Sequence, residues 1–348
     1  MRGRHKWILN SLFLIALTAL TLFAVLRNRD LSRLQSVLGQ LHPGWCAAGF
    51  LLVVLFILGE ALISYRVLHS MQVPLGLGRC CLCAFVGFFF SCITPFAGGG
   101  QPAQVVYLRR NGVPTAAAIP MLVLITVTYK LVLVIYGIAV LLVRPAPVWQ
   151  ALAPVRGWYV LGLILTSSVV GFFLLLILLP DPMERLLTSL LTFLARRFPS
   201  LERKQLQPRL RDWMHQYRSA AGCVCNAGLM LQALGITLVQ RTLHFAVCWC
   251  ALRALDIHQI ALWVAAVQQA MIYLGTDLLP LPGGTGANEV MFLEIYTPLL
   301  GEAALPVLLV SRSISYYGEL LISAAFTAVA FTCQKRGHTY SREEDTPT

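Results

Sequence analysis

Charge is what this sequence has least of. Only 12% of its 348 residues are Asp, Glu, Lys or Arg, and the 15 acids are outnumbered by 27 Lys and Arg. A folded domain in water needs a far more charged surface. The chain also lacks an HExxH pair, a glycine loop ending in the lysine that grips nucleotide phosphates, and a nucleophile motif. Zinc hydrolysis of the HExxH type and nucleotide-driven work therefore have no residues to carry them. Polar sequence is scarce as well: the longest such stretch, Pro180 to Gly222, is far too short for a soluble catalytic domain. Ten cysteines are present, among them Cys80, Cys81 and Cys83, Cys223 and Cys225, and Cys248 and Cys250. None has zinc-ligand spacing with histidines nearby, and most sit in apolar runs, so they read as small membrane-core residues, with no metal and no cofactor expected.

Apolar residues supply what charge does not. They make up 57% of the chain, with a mean hydropathy of +0.72, which points to an all-α polytopic membrane protein. Runs fall at about Trp7 to Leu26, Trp45 to Ile63, Cys80 to Ile93, Ala116 to Val143, Gly157 to Leu179, Ala227 to Leu252, His258 to Leu279 and Ala303 to Phe331. Seven have the length to span and Cys80 to Ile93 does not, so about 7–8 membrane helices are expected, with residues 1–335 forming a single membrane domain. The first run follows Met1-Arg-Gly-Arg-His-Lys6 without a small-residue processing site and is expected to be retained. The net charge of +12 lies between the spans and does not form an aromatic-interleaved patch, so it implies basic cytoplasmic loops touching anionic headgroups and no nucleic acid. A cytoplasmic N-terminus in the cell membrane follows. The connector 180–222 carries eight Lys and Arg against four acids; its Met183 to Phe198 portion has helical apolar spacing and is expected to lie flat on the inner membrane surface. Residues 336–348 are expected to be a disordered tail.

Two breaks interrupt the apolar pattern. One is Thr94-Pro-Phe-Ala-Gly-Gly-Gly-Gln-Pro-Ala-Gln-Val105, with Pro95, Gly98, Gly99 and Gly100; the other is Leu279-Pro-Leu-Pro-Gly-Gly-Thr-Gly-Ala-Asn-Glu-Val290, with Pro280, Pro282, Gly283, Gly284 and Gly286. Backbone that leaves a helix in hydrocarbon must face protein or water, so each break predicts a re-entrant turn or a cavity. Laying Pro95 on Pro280 also matches Gly98 with Gly283, Gly99 with Gly284, Val105 with Val290 and Leu108 with Leu293. This predicts an internal repeat with halves at about 80–143 and 258–331. Paired interruptions in corresponding halves are the sequence pointer to a transporter binding site.

Charges cluster near these breaks. Arg312, Ser315, Tyr316 and Glu319 form a stripe at helical spacing, and Thr126, Tyr129 and Lys130 form its counterpart. Arg241 adds a third cation. Each charge within the bilayer costs about 3 kcal/mol on insertion scales. Glu60, Asp277, Glu289 and Glu319 nearly balance these cations, so structural ion pairing would account for their survival. Their clustering beside the breaks favours an internal polar cavity. The candidate translocation residues are Gln101, Gln104, Lys130, Arg241, Asp277, Asn288, Glu289, Arg312, Tyr316 and Glu319. Helix N-termini after the two breaks would offer N–H groups to a phosphate, and Glu289 is expected to face Arg312 across the cavity.

The run Ile93-Thr-Pro-Phe-Ala-Gly-Gly-Gly-Gln-Pro-Ala-Gln-Val-Val-Tyr-Leu-Arg-Arg-Asn-Gly-Val113, the later Leu-Pro-Gly-Gly-Thr-Gly-Ala-Asn-Glu and Ser311-Arg-Ser-Ile-Ser-Tyr-Tyr317 resemble the flippase-like transmembrane domain of the lysylphosphatidylglycerol synthase family, in the form of its Gram-positive members. In two-part members that domain precedes a soluble domain transferring lysine from charged tRNA to phosphatidylglycerol, and the present sequence has no counterpart of it. The resemblance implies a lipid translocase moving a phospholipid, an aminoacyl-phospholipid or a polyprenyl-phosphate-linked lipid between leaflets. A membrane enzyme or enzyme subunit using Glu289 as a base, and a scaffold for a separate synthase, are the alternatives. Membrane lipids are the expected partners, with homo-oligomerisation and a separate synthase partner both open.

Overall fold

The computed structural model describes residues 41–73, 75–178 and 226–343, with Gly39, Thr188 and Ser189. The expected first span and most of the 180–222 connector, including its amphipathic segment, lie outside the described residues. What is described is helical throughout, without strands. The helices are α1 (Pro43–Ser70), α2 (Leu77–Ile93), α3 (Gly100–Arg110), α4 (Thr115–Val143), the short α5 (Ala146–Ala151), α6 (Arg156–Leu178), α7 (Ala227–Ala254), α8 (Leu262–Thr276), α9 (Ala287–Leu300), α10 (Ala304–Arg312) and α11 (Glu319–Glu343). A π-helical segment, Ser313–Gly318, joins α10 to α11.

Helix ends follow the local chemistry. α1 begins with proline in its first turn, where the missing N–H is no loss. The Asn226 side chain caps α7 by accepting from the N–H groups of Gly228 and Leu229. α1, α4 and α7, with 28, 29 and 28 residues, exceed the roughly 20 residues a span requires. Five helical stretches among the described residues are long and apolar enough to cross a membrane. The run His258 to Leu279 is not one of them. It folds as the 15-residue α8, about 22 Å long, and so joins α2 as a half-length helix ending in a turn. α11 is helical as far as Glu343, into the segment expected to be disordered, because extending an existing helix needs no new nucleus.

Two sets of elements share one order: long helix, short helix, turn, short helix, long helix. The first is α1 to α4 and the second is α7 to α11. α1 and α7 pack antiparallel: Trp45 meets Trp249 edge to face, Phe56 stacks on His244, and Gly59 lies against Gln240. The two sets therefore run in opposite directions through the molecule. Each set also lends a helix to the other, α2 packing on α11 and α8 on α4. Phe85 stacks on Phe326 in one of these contacts, and Gly137 meets Leu274 in the other. The unit is one helix wider on each side than the halves beginning near 80 and 258, since α1 and α7 contain no break to betray them.

The hairpins α2–α3 and α8–α9 therefore enter from opposite faces, and their turns touch. The turns match in backbone geometry over their first four residues, in a register two residues away from the one that sequence identity suggests, and diverge after Gly98 and Thr285. Thr94 and Leu281 are extended, Phe96 and Gly283 both have φ of 57°, and Ala97 and Gly284 have φ of 53° and 65°. Gly98 N–H donates to the Pro95 carbonyl as Thr285 N–H donates to that of Pro282, both at 3.0 Å. Pro95 thus corresponds to Pro282. Identity selects Pro280 because it aligns glycines, whereas the first turn places Phe96 and Ala97 at its two left-handed positions.

A left-handed residue with a Cβ costs roughly 1–2 kcal/mol. At Gly283 a Cβ would also collide with the ring of Tyr316. Gly283→Ala is therefore expected to lower the thermal midpoint of the detergent-solubilised protein, and Ala97→Gly to raise it by the equivalent of about 1 kcal/mol. Differential scanning fluorimetry checks both. A fall for Ala97→Gly would contradict the strain assigned to the first turn.

Candidate functional site

Where the turns meet, an internal cavity of ≈ 270 Å³ opens. Its wall is drawn from both sets: Phe96 and Ala97 of the first turn, Gly283 and Gly284 of the second, and polar side chains from α1, α3, α4, α7, α8 and α11. The π-helical segment turns Ser315 and Tyr316 into the same wall. Single π-turns inside α-helices recur at functional sites because the extra residue re-aims side chains.

Polar groups around the cavity fall into two kinds. The first kind is paired. Arg312 Nε donates to Glu289 Oε1 at 2.7 Å, and its other arm reaches the Gly283 carbonyl at 3.3 Å. Glu289 in turn accepts the Gly286 N–H at 2.5 Å, capping α9. Lys130 pairs with Asp277, tying α4 to the end of α8. The second kind has no opposite charge at bonding distance. Glu60, 5% exposed, accepts from the Gln104 amide at 2.6 Å and the Tyr129 hydroxyl at 2.9 Å, both neutral donors. Glu319 lies 3.4 Å from His244 Nε2 and accepts the Cys92 thiol at 3.8 Å.

Arg241 stands apart. It is buried, its Nε has no hydrogen-bond partner, and among the described residues it forms no ion pair. Four rings surround its guanidinium, with centroids at 4.7 Å for Tyr129, 5.8 Å for Phe245, 5.9 Å for Phe56 and 6.0 Å for Tyr273. Ring faces partly offset the desolvation of a cation without neutralising it. The side chain is thus held in place while its charge stays available to the cavity.

The other candidate residues are distributed as follows. Gln104, Lys130, Asp277, Arg312, Tyr316 and Glu319 all line the cavity. Gln101 lines it at an exposed position and bonds to Thr126. Asn288 and Glu289 are buried but lie outside the wall. Glu289 consequently does not face Arg312 across the cavity; it touches Arg312 directly from behind, because a carboxylate capping its own helix cannot extend into the opening. Of the prolines and glycines of the two breaks, only Gly283 and Gly284 reach the wall. At the helix N-termini expected to offer N–H groups to a phosphate, one N–H of each has an internal partner. Gly286 N–H is taken by Glu289, and Gly99 N–H donates to Thr94 Oγ1 at 2.8 Å. Sequence reasoning missed Glu60, His244 and Tyr273 as site residues. Glu60 had a signal, a lone carboxylate in the middle of an apolar run. His244 follows Arg241 by three positions on α7, on the same face.

The family described as the lysylphosphatidylglycerol synthase TM region matches residues 8–323. The chain belongs to that family. No curated protein matches it.

Breaking a buried ion pair from one side strands the other charge, at about 3–5 kcal/mol. Glu289→Ala and Arg312→Ala should each destabilise on that scale. The double variant should lose clearly less than their sum, by about 0.5–3 kcal/mol. A double-mutant cycle in detergent measures this, and simple additivity would show that the two groups do not act as a pair.

Proposed function

We propose that this member of the lysylphosphatidylglycerol synthase TM family is a lipid translocase that carries a phosphate-bearing headgroup through the cavity between its two hairpins. The observation that carries this reading is Arg241, a buried guanidinium held by four rings, with no carboxylate at bonding distance among the described residues, lining the cavity. A charge left unpaired at such a depth favours a ligand of opposite sign. Phosphate suits a guanidinium because its oxygens accept the planar donors two at a time.

Size and surroundings agree with a headgroup as cargo. A cavity of ≈ 270 Å³ is below the range of drug-sized pockets and leaves acyl chains no room, so these stay in the bilayer. Their path runs past exposed apolar side chains such as Phe96, Leu321 and Phe326. Gln101, Gln104 and Tyr316 supply neutral hydrogen bonds within the wall, while the Lys130–Asp277 and Arg312–Glu289 pairs hold the hairpins. Opposed hairpins suit alternating access, since loosening either one exposes the same centre to a different leaflet.

Basic residues orient the molecule. The ends of α1 and α3 and the start of α2 bring Arg66, Arg79, Arg109 and Arg110 to one face. The opposite face mixes Arg144, Arg156 and Arg253 with Asp256 and Glu302. By the positive-inside bias the first face is the one that would lie on the cytoplasmic side. A phospholipid is the simplest cargo, and aminoacyl-phospholipids and polyprenyl-phosphate lipids present the same phosphate.

Reconstitution tests this directly. Proteoliposomes holding a tracer of headgroup-labelled phosphatidylglycerol should equilibrate it between leaflets faster than empty vesicles. Loss of one charge-assisted contact, about 1.5–3 kcal/mol, predicts that Arg241→Gln slows this about 10- to 100-fold. Wild-type vesicles no faster than empty ones, or an Arg241→Gln protein as fast as wild type, would refute the proposal.

A further inference from the structure

Counting Glu289, which pairs with Arg312 from behind the wall, the charged groups in and around the cavity include one more acid than cation, and the excess is arranged around a histidine. Lys130 is paired with Asp277 and Arg312 with Glu289, so those four groups sum to zero. What remains is Glu60 from α1, Glu319 from α11, Arg241 and His244 from α7. With both carboxylates ionised and the imidazole neutral, the remainder carries one net negative charge; one proton brings it to zero.

His244 is built to hold that proton. Its Nε2 is 3.4 Å from Glu319 Oε2, and neither ring nitrogen has a hydrogen-bond partner. Phe56 stacks on the ring at 4.4 Å, and Tyr273 lies at 5.4 Å, so aromatic rings hold the imidazole in place beside Glu319. Arg241, also on α7, is fixed nearby and cannot release its own proton. Of the remaining titratable groups facing the cluster, Tyr129 donates to Glu60, Cys92 donates to Glu319, and the Tyr316 hydroxyl donates to the Cys92 carbonyl at 3.0 Å. All three are neutral donors and leave the charge count unchanged.

We infer that the Glu60–His244–Glu319 cluster is a proton site coupled to the cargo, so that each anionic headgroup entering the cavity brings a proton with it. This rests on the translocase reading and adds its energy source. A monoanionic lipid phosphate beside Arg241 raises the net negative charge of the remainder from one to two. Proton uptake restores the value of the empty cavity, and in a low-dielectric setting the two ligands raise each other's affinity. The proton moves from water to His244 Nε2 or to a carboxylate oxygen of Glu60 or Glu319, and no covalent bond of the lipid changes. A proton gradient then biases the direction of transport.

The test is calorimetric. Short-chain phosphatidylglycerol is titrated into the purified full-length protein in detergent, at one pH near 7, in two buffers of very different ionisation enthalpy. The difference in apparent binding heat gives the protons taken up, and about one per lipid is expected. His244→Gln and Glu319→Gln should each bring that number towards zero, with lipid affinity read from the same titration and weakened for His244→Gln as the coupling requires. In proteoliposomes, an imposed pH gradient should make the labelled lipid accumulate in one leaflet for wild type and leave it evenly distributed for both variants. Lipid binding with the same heat in both buffers would overturn the coupling and leave the translocase reading intact. Absence of lipid binding by the wild-type protein would overturn both. Inorganic phosphate that binds as tightly as the lipid, with the same proton uptake, would uphold the proton site and overturn the lipid as its partner.

Discussion

The guanidinium of Arg312 ties together the second turn, the start of α9 and the π-helical segment. It donates to Glu289 and to the Gly283 carbonyl, and it lies 4.6 Å from the centre of the Tyr316 ring. Glu289 caps α9 from within its first turn, so the ion pair also fixes where that helix begins. Gly283 leaves the space that the Tyr316 ring occupies, and the Tyr316 hydroxyl reaches the carbonyl of Cys92 near the end of α2. One buried charge pair therefore connects the second turn, the π-helical segment and the first hairpin. Without it, the carbonyl freed at Gly283 would have one donor fewer, a loss that a membrane interior tolerates poorly.

From that fixed point the cavity's charges divide by what holds them. Pairs that fasten helices are closed: each of Lys130 and Arg312 has its own carboxylate. Arg241, Glu60 and Glu319 are held instead by rings, amides, hydroxyls, a thiol and an imidazole. Neutral contacts fix a side chain without spending its charge. Burial of such a group is costly, and its retention is accounted for more simply by a ligand or a proton than by stability, since a closed pair would serve stability better.

The polytopic helical class, the two breaks and most of the cavity's lining were legible in the sequence because each leaves a local mark: run length, Pro and Gly in apolar surroundings, a charge where charge is rare. What was not legible was relational. The repeat register was taken from glycine identity, yet backbone shape is shared between Phe96 and Gly283, and nothing in the letters says that a phenylalanine adopts a glycine's conformation. The antiparallel packing of α1 on α7 and the place of both in the repeat depend on contacts between distant residues such as Phe56 and His244. Glu289 was read as cavity-facing because a buried carboxylate near a break suggests function. Its side chain is turned back onto its own helix, a local bond that sequence shows only as a glycine three positions earlier.

The same comparison exposes an asymmetry between the hairpins. The second turn is locked by a charged pair and by a ring fitted over Gly283. The corresponding joint in the first set, between α3 and α4, is the neutral bond from Gln101 to Thr126. Its turn is braced by the Thr94 hydroxyl, which accepts from Gly99 N–H and donates to the Phe90 carbonyl at 2.7 Å. Phe96 there is 61% exposed and strained in backbone, whereas Pro282 and Thr285 of the second turn are buried. Among the described residues the first hairpin is held to carboxylates by neutral donors, Gln104 to Glu60 and Cys92 to Glu319, whereas displacing the second separates Arg312 from Glu289. Two hairpins with similar turns are thus fastened differently, the first by hydrogen bonds and the second by an ion pair.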